Sequence, residues 1–401
     1  MKDLKYLAYF ESLLDDANNE LVRQAVSEGR HPIGYTCFHM PEVLLNLDGC
    51  FSLRIRAPKT GSLDISTYYM SNYTCEYARA ILERAGEGGY NFLDAIAGVD
   101  ACAQMNRGLE NIEIQKLVDK EKFFISHVDV PYKVDDKAIE HYRKQLQIKI
   151  LDKLSESYGV DVSDDSIRRA VEEHNEICRI ISEIGDMRME ANPRVTGYEF
   201  HILNLITYCC PKYLVTEKLR ETLEELRTRI VDAKPAFRVR VAVVGSEIDD
   251  PDLTRLIEES GALIVADRFC FGSFPGRQPL TLSEGESALA SVCRQYLEQS
   301  QCPRFMSRDK IRQRRDAVDE YAKKYKADGI IYEAMKFCDY WGYERALAGH
   351  IMQNEYGYPV LSIDRPYMSR TSGQLRTRMQ AFVESLEIKK IQKKTGAEQN
   401  V

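Results

Sequence analysis

The chain has 401 residues, of which 44% are apolar and 29% charged, and its formal net charge is −7. That length exceeds one average core and predicts two or more domains, while the acidic balance, with Lys and Arg scattered through helical stretches, argues against a nucleic-acid partner. No apolar run approaches the roughly 18 residues of a membrane span, and the acids of "MKDLKYLAYFESLLDDANNE" exclude a secretory signal, so the expected location is the cytoplasm.

Residues 1–30 predict an N-terminal amphipathic helix, and residues 31–132 a first α/β lobe. In that lobe "HPIGYTCF" reads as a strand, "MPEVLLNLDG" as a short helix closed by Gly49, and "CFSLRIRA" as a second strand. "SNYTCEYARAILERAGEGG" is a helix with Ser71 or Asn72 near its cap. "NFLDAIAGVD" is a strand, "ACAQMNRGLENIEIQKLV" a helix, and "KFFISHVDVP" a strand stopped by Pro131. Residues 133–235 change to charged stretches of helical period and predict a helical connector, a candidate partner surface. The strand–helix rhythm returns over 236–401 with "RVRVAVVG", "ALIVAD", "GIIYEA" and "YPVLSIDR" as strands and a closing helix at "GQLRTRMQAFVESLEIKK". Alternation of this kind implies parallel sheets covered on both faces. The expected fold is two doubly wound, flavodoxin- or Rossmann-like lobes joined by helices, with a site in the cleft between them.

Eleven cysteines are present and none is paired as CxxC; HExxH, GxxxxGK and GxGxxG are also absent. Any chemistry on sulfur must therefore use cysteines that converge from distant positions. Cys37, Cys102, Cys270 and Cys338 fall just past the ends of predicted strands, the edge where open α/β sheets bind ligands. Cys75 lies in the first turn of a helix, where amide dipoles favour a thiolate. Converging thiolates without neighbouring histidines suit an iron–sulfur cluster better than a catalytic zinc. Free cysteine also fills core space, which suits Cys178, Cys209, Cys210 and Cys293.

The chain resembles the 2-hydroxyacyl-CoA dehydratase and benzoyl-CoA reductase subunits, the 2-hydroxyglutaryl-CoA dehydratase D-component family. The likeness rests on "GYTCFHMPEVLLNLDG", "CEYARAILE", "VDACAQMNRGLEN", "FISHVDVP", "VADRFCFGS", "YEAMKFCDYWGYE" and "SGQLRTRMQAFVESLE". It implies a [4Fe-4S] cluster on Cys75, Cys102 and Cys338, a related partner subunit and an ATP-hydrolysing iron–sulfur activator. The implied reaction passes one low-potential electron to an (R)-2-hydroxyacyl-CoA, which loses water through a ketyl radical. Two alternatives accompany it: an ATP-dependent reductase subunit and a partner subunit that only relays electrons. Cys37 and Cys270 resemble a branch that carries a double-cubane [8Fe-9S] cluster on six cysteines. Five of these are matched here; the expected Lys-Cys-Pro insertion is missing, which leaves Cys50 as the candidate sixth.

Further candidates surround these positions. Glu42 is a candidate acid beside the cluster and Glu333 a candidate proton carrier. Tyr340, Trp341 and Glu344 are candidates for shaping the pocket, and Ser246 for the crevice edge. His39 is a candidate donor to the acyl oxygen, whereas Arg376 and Arg378 suit salt bridges on the last helix.

Overall fold

A computed structural model describes residues 1–368 and 373–398, with side chains to residue 392; Ser372 of the closing motif lies outside the described residues. Strands β1 (His31–Tyr35), β2 (Cys50–Arg54), β3 (Ala95–Asp100) and β4 (Phe124–Asp129) form one sheet in the order β2-β1-β3-β4. Strands β5 (Val239–Gly245), β6 (Ala262–Phe269), β7 (Gly329–Met335) and β8 (Val360–Arg365) form a second in the order β6-β5-β7-β8. Every pairing is parallel. The expected α/β architecture of two doubly wound lobes is present.

The local reason is composition. Every residue of β5, β6 and β7 is buried, as befits strands covered on both faces. In each lobe the chain reverses direction across the sheet between the first strand and the third. That opens a crevice between β1 and β3 and another between β5 and β7, at the carboxyl ends of the strands. The second crevice is tight at its floor: a Cβ on Gly245 would sit 2.6 Å from Glu333 Oε2 and 2.7 Å from its carbonyl oxygen.

Three stretches differ from expectation. The N-terminal segment is two helices, Leu7–Leu13 and Glu20–Ser27, because Asn19 caps the second by accepting from the Leu21 and Val22 amides at 3.1 Å. Helices Asp136–Leu146, Asp152–Tyr158, Asp164–Asp186 and Lys212–Thr228 occupy the predicted connector, but a further helix, Gly197–Cys209, runs between them. It is buried around nearly its whole circumference, touches β2 of one lobe and β6 of the other, and so belongs to the common core. A capping box, with Thr196 and Glu199 each accepting from the other's backbone amide, starts it. Helix Ala288–Glu298 is likewise additional. No described helix is long and apolar enough to cross a membrane.

Candidate functional site

Cys75, Cys102 and Cys338 share one structural position: each is the residue that caps the N-terminus of a helix, Glu76–Gly86, Ala103–Ile114 and Asp339–Asn354 respectively. Cys75 thus stands at the cap, one residue before the first turn. None of the three sulfurs makes a cap hydrogen bond, but backbone amides of the new helix favour each thiolate: Tyr77 and Ala78 for Cys75, Gln104 and Met105 for Cys102, and Trp341 for Cys338. Two of these helices leave the first sheet and one leaves the second, and the three thiols lie within electrostatic reach of one another. The positive ends of three helices therefore converge where three sulfurs meet, an arrangement that favours bound negative charge.

A second set of sulfurs lies beside the first. Cys37 follows β1 and Cys270 follows β6, as expected, and both open onto a cavity of about 810 Å³, mouth included. Cys302 opens onto the same cavity, together with Cys102 and Cys338. It lies within electrostatic reach of Cys37, Cys270, Cys102 and Cys338, and Cys270 lies within reach of Cys338 as well. The six cysteines thus comprise the expected triad 75/102/338 and a further triad 37/270/302, each drawn from both lobes, and all but Cys75 line the cavity. Cys302 was not legible in advance because it lies in the loop between helices Ala288–Glu298 and Arg308–Lys324, away from any strand end. Pro303 after it was the one local sign of a loop. Cys50 is not the sixth member: it is the first residue of β2, at the opposite edge of the sheet. Cys178, Cys209, Cys210 and Cys293 are core.

The donor set fits an iron–sulfur cluster. It is all sulfur, enclosed, and supplied with backbone amides. Among the described residues no three His, Cys, Asp or Glu side chains are grouped to hold a metal ion. A cluster instead spreads its ligands over several irons. Burial pushes the Cys37 and Cys75 thiols up to about 12 and raises those of Cys102, Cys270, Cys302 and Cys338. Without metal these are neutral thiols, and iron must displace their protons.

Other side chains tune the cavity. The Arg54 guanidinium, at the end of β2, donates to the Cys270 carbonyl and lies 3.4 Å from Glu247 Oε2. Burial raises the Glu247 carboxyl to about 7 against the pull of Arg54. His39 lines the wall, 3.8 Å from Cys37 Sγ and 2.8 Å from Ser300 Oγ, and burial drops it to about 3, so it is neutral. Tyr340 and Trp341 also line the cavity. Burial and a hydrogen bond with Tyr132 raise the Tyr340 hydroxyl to about 12. Arg54, Glu247 and Arg268 carried no motif and were not singled out from sequence.

Three expected acids and hydroxyls lie elsewhere. Glu42 is buried below the cavity wall, accepting from Tyr35 Oη and Arg277 Nη1 at 2.6 Å, with Lys212 Nζ at 3.3 Å. Glu333 accepts from the Ser246 amide at 2.9 Å, from Ser246 Oγ at 2.8 Å and from Arg365 Nε at 2.9 Å. Ser246 Oγ also accepts from the Met335 amide at 2.6 Å, so this pair braces the crevice floor and neither residue lines the cavity. Glu344 pairs with Arg314 at 2.8 Å and Arg376 with Glu259 at 3.1 Å.

Residues 37–386 match the family model of the 2-hydroxyglutaryl-CoA dehydratase D-component. The chain belongs to that family. It is 25% identical to the (R)-phenyllactyl-CoA dehydratase beta subunit of Clostridium sporogenes, over 95% of this chain and 99% of that one. It is also 25% identical to the (R)-2-hydroxyglutaryl-CoA dehydratase beta subunit of Acidaminococcus fermentans, over 90% and 93%. A benzoyl-CoA reductase subunit of Thauera aromatica is 23% identical over 97% of this chain and all of its own length. This D-component family member is thus an enzyme subunit of the 2-hydroxyacyl-CoA dehydratase and benzoyl-CoA reductase type, and its relatives are each named as one subunit of a larger enzyme.

Proposed function

We propose that the chain is the iron–sulfur subunit of a 2-hydroxyacyl-CoA dehydratase, paired with a related subunit and supplied with a low-potential electron by an ATP-hydrolysing activator. The observation that carries this is the convergence of Cys75, Cys102 and Cys338 as caps of three helices at one cleft. A β-proton of an acyl-CoA is too weakly acidic for acid–base catalysis alone, so the family's reaction needs a redox group. When bound, the cluster supplies one-electron chemistry and Lewis-acid iron. The chain's own residues supply the rest. Phe38, Phe274 and Trp341 on the cavity wall exclude water from the thioester. Tyr340 presents a hydroxyl, and Glu247 is the one carboxylate on the described wall, placed to take a proton at Oε2.

The test is substitution under anaerobic conditions. Cys75→Ser, Cys102→Ser and Cys338→Ser each lose the cluster's EPR signal and its iron while remaining folded. Full iron and an unchanged spectrum in all three would contradict the ligand assignment.

The second triad favours a second reading. Five sulfurs on one cavity, with Cys75 beside two of them, suit a double-cubane [8Fe-9S] cluster, and with it a reductase that consumes electrons where a dehydratase recycles them. Under that reading Cys37→Ser, Cys270→Ser and Cys302→Ser also lose iron; under the first they keep it.

A further inference from the structure

The residues that flank the first triad reach across the seam between the lobes. Gln104, two residues after Cys102, accepts from the Cys75 amide through Oε1 at 2.5 Å and donates from Nε2 to Asp339 Oδ2 at 2.8 Å. Asp339 directly follows Cys338 and opens the helix Asp339–Asn354. One side-chain amide thus ties together the chain beside all three sulfurs. Two further contacts cross the same seam: the Tyr73 ring meets the Phe337 ring edge-on at 5.7 Å, and Glu76 Oε2 accepts from the Tyr367 amide at 2.8 Å. Phe337 holds a φ of +66° immediately before Cys338, a conformation that a bulky side chain adopts only where its surroundings impose it.

Two acids act on these sulfurs from close by, and they are balanced differently. Glu247 reaches Cys75 and Cys102, but Arg54 lies 3.4 Å from it and offsets its charge. Asp339 reaches Cys102 and forms no ion pair among the described residues; its hydrogen-bond partner is the neutral Gln104 amide. Asp339 is exposed, and a carboxylate left free at that position would turn to water and be screened. The bond to Gln104 keeps it turned to the sulfurs. Negative charge fixed beside a redox centre disfavours the added electron and so lowers the potential. We propose that Gln104 is a positioning residue that clamps Asp339 across the seam beside the first triad, and that the clamped carboxylate holds the cluster at low potential. This rests on the reading of Cys75, Cys102 and Cys338 as cluster ligands and goes beyond it, because it assigns a part to two residues that touch neither iron nor substrate.

The experiment is a redox titration followed by EPR on the full chain purified without oxygen, with iron content and thermal melting on the same samples. Asp339→Asn keeps an oxygen for the Gln104 amide and removes only the charge. It raises the midpoint potential by the equivalent of roughly a three- to tenfold change in the reduction equilibrium, about 30–60 mV for one electron. Gln104→Ala releases the carboxylate to water and raises the potential by a smaller step, and it adds no further step in the Asp339→Asn background. Both variants keep the iron content and the melting temperature of the wild type, whereas a merely structural contact would move those and leave the potential alone. An unchanged or lower potential in Asp339→Asn, or loss of its iron, overturns the proposal while the ligand assignment stands. Fully additive shifts in the double variant overturn the role of Gln104. A metal-free wild type overturns this proposal together with the cluster reading, so the two failures are told apart by the iron of the wild type.

Discussion

Cysteine is not among the side chains that cap helices well; Ser, Thr, Asp and Asn are, and a good cap is worth about 1 kcal/mol over a poor one. Three helices at the cleft nonetheless begin at cysteine, as the proposed ligand role requires. Serine at these caps should therefore stabilise the metal-free chain by about 0.5–1 kcal/mol per site in urea unfolding while abolishing iron binding. Marked destabilisation of the metal-free chain would contradict the capping account. Glu42 offers the opposite case. Glu42→Gln leaves Arg277 and Lys212 buried without their acid and should cost about 3–5 kcal/mol, measured by the same unfolding, with the cluster's iron content intact. Loss of iron in that variant would return Glu42 to the site.

Among the elements, the strands and their ends were legible because strands covered on both faces read as short apolar runs bounded by turns. Cys37, Cys270 and Cys338 could be placed at the ligand edge from that alone. Helix Gly197–Cys209 was not legible because it is apolar on nearly every side and shows no amphipathic stripe. Its burial has a pH consequence. His201 Nε2 lies 3.2 Å from the Ile248 carbonyl, and burial lowers the imidazole to about 4 from an unfolded value of 6.5. The unfolded chain then binds a proton that the folded chain refuses, so this stability is present above pH 6.5 and is lost as pH falls toward about 4. His201→Gln should flatten that part of the pH–stability curve, seen by comparing urea midpoints of the two proteins across it. An unchanged slope would mean that His201 charges freely in the fold. At the crevice floor, Gly245→Ala should cost about 1–3 kcal/mol, because its Cβ meets the Glu333 carbonyl at 2.7 Å.

In the whole molecule, the two lobes are joined through their interiors. Glu42 and Arg277 pair across the seam at 2.6 Å, Arg56 Nε donates to the Asp249 carbonyl at 2.6 Å, and helix Gly197–Cys209 touches both sheets. Unfolding should consequently be one transition, with fluorescence and far-UV dichroism coincident; two separated transitions would show independent lobes. The same joining explains what sequence could reveal of the site. The triad of Cys75, Cys102 and Cys338 lies on local motifs, whereas Cys302, Arg54, Glu247 and Arg268 reach the cavity only once the lobes close on each other.

The most direct test is iron and acid-labile sulfide per chain on protein purified without oxygen. The account predicts metal on the cleft cysteines: about four of each for a single cluster on the first triad, or about eight irons and nine sulfides if both triads are used. A well-folded preparation with no iron would contradict it and leave the six sulfurs as packing.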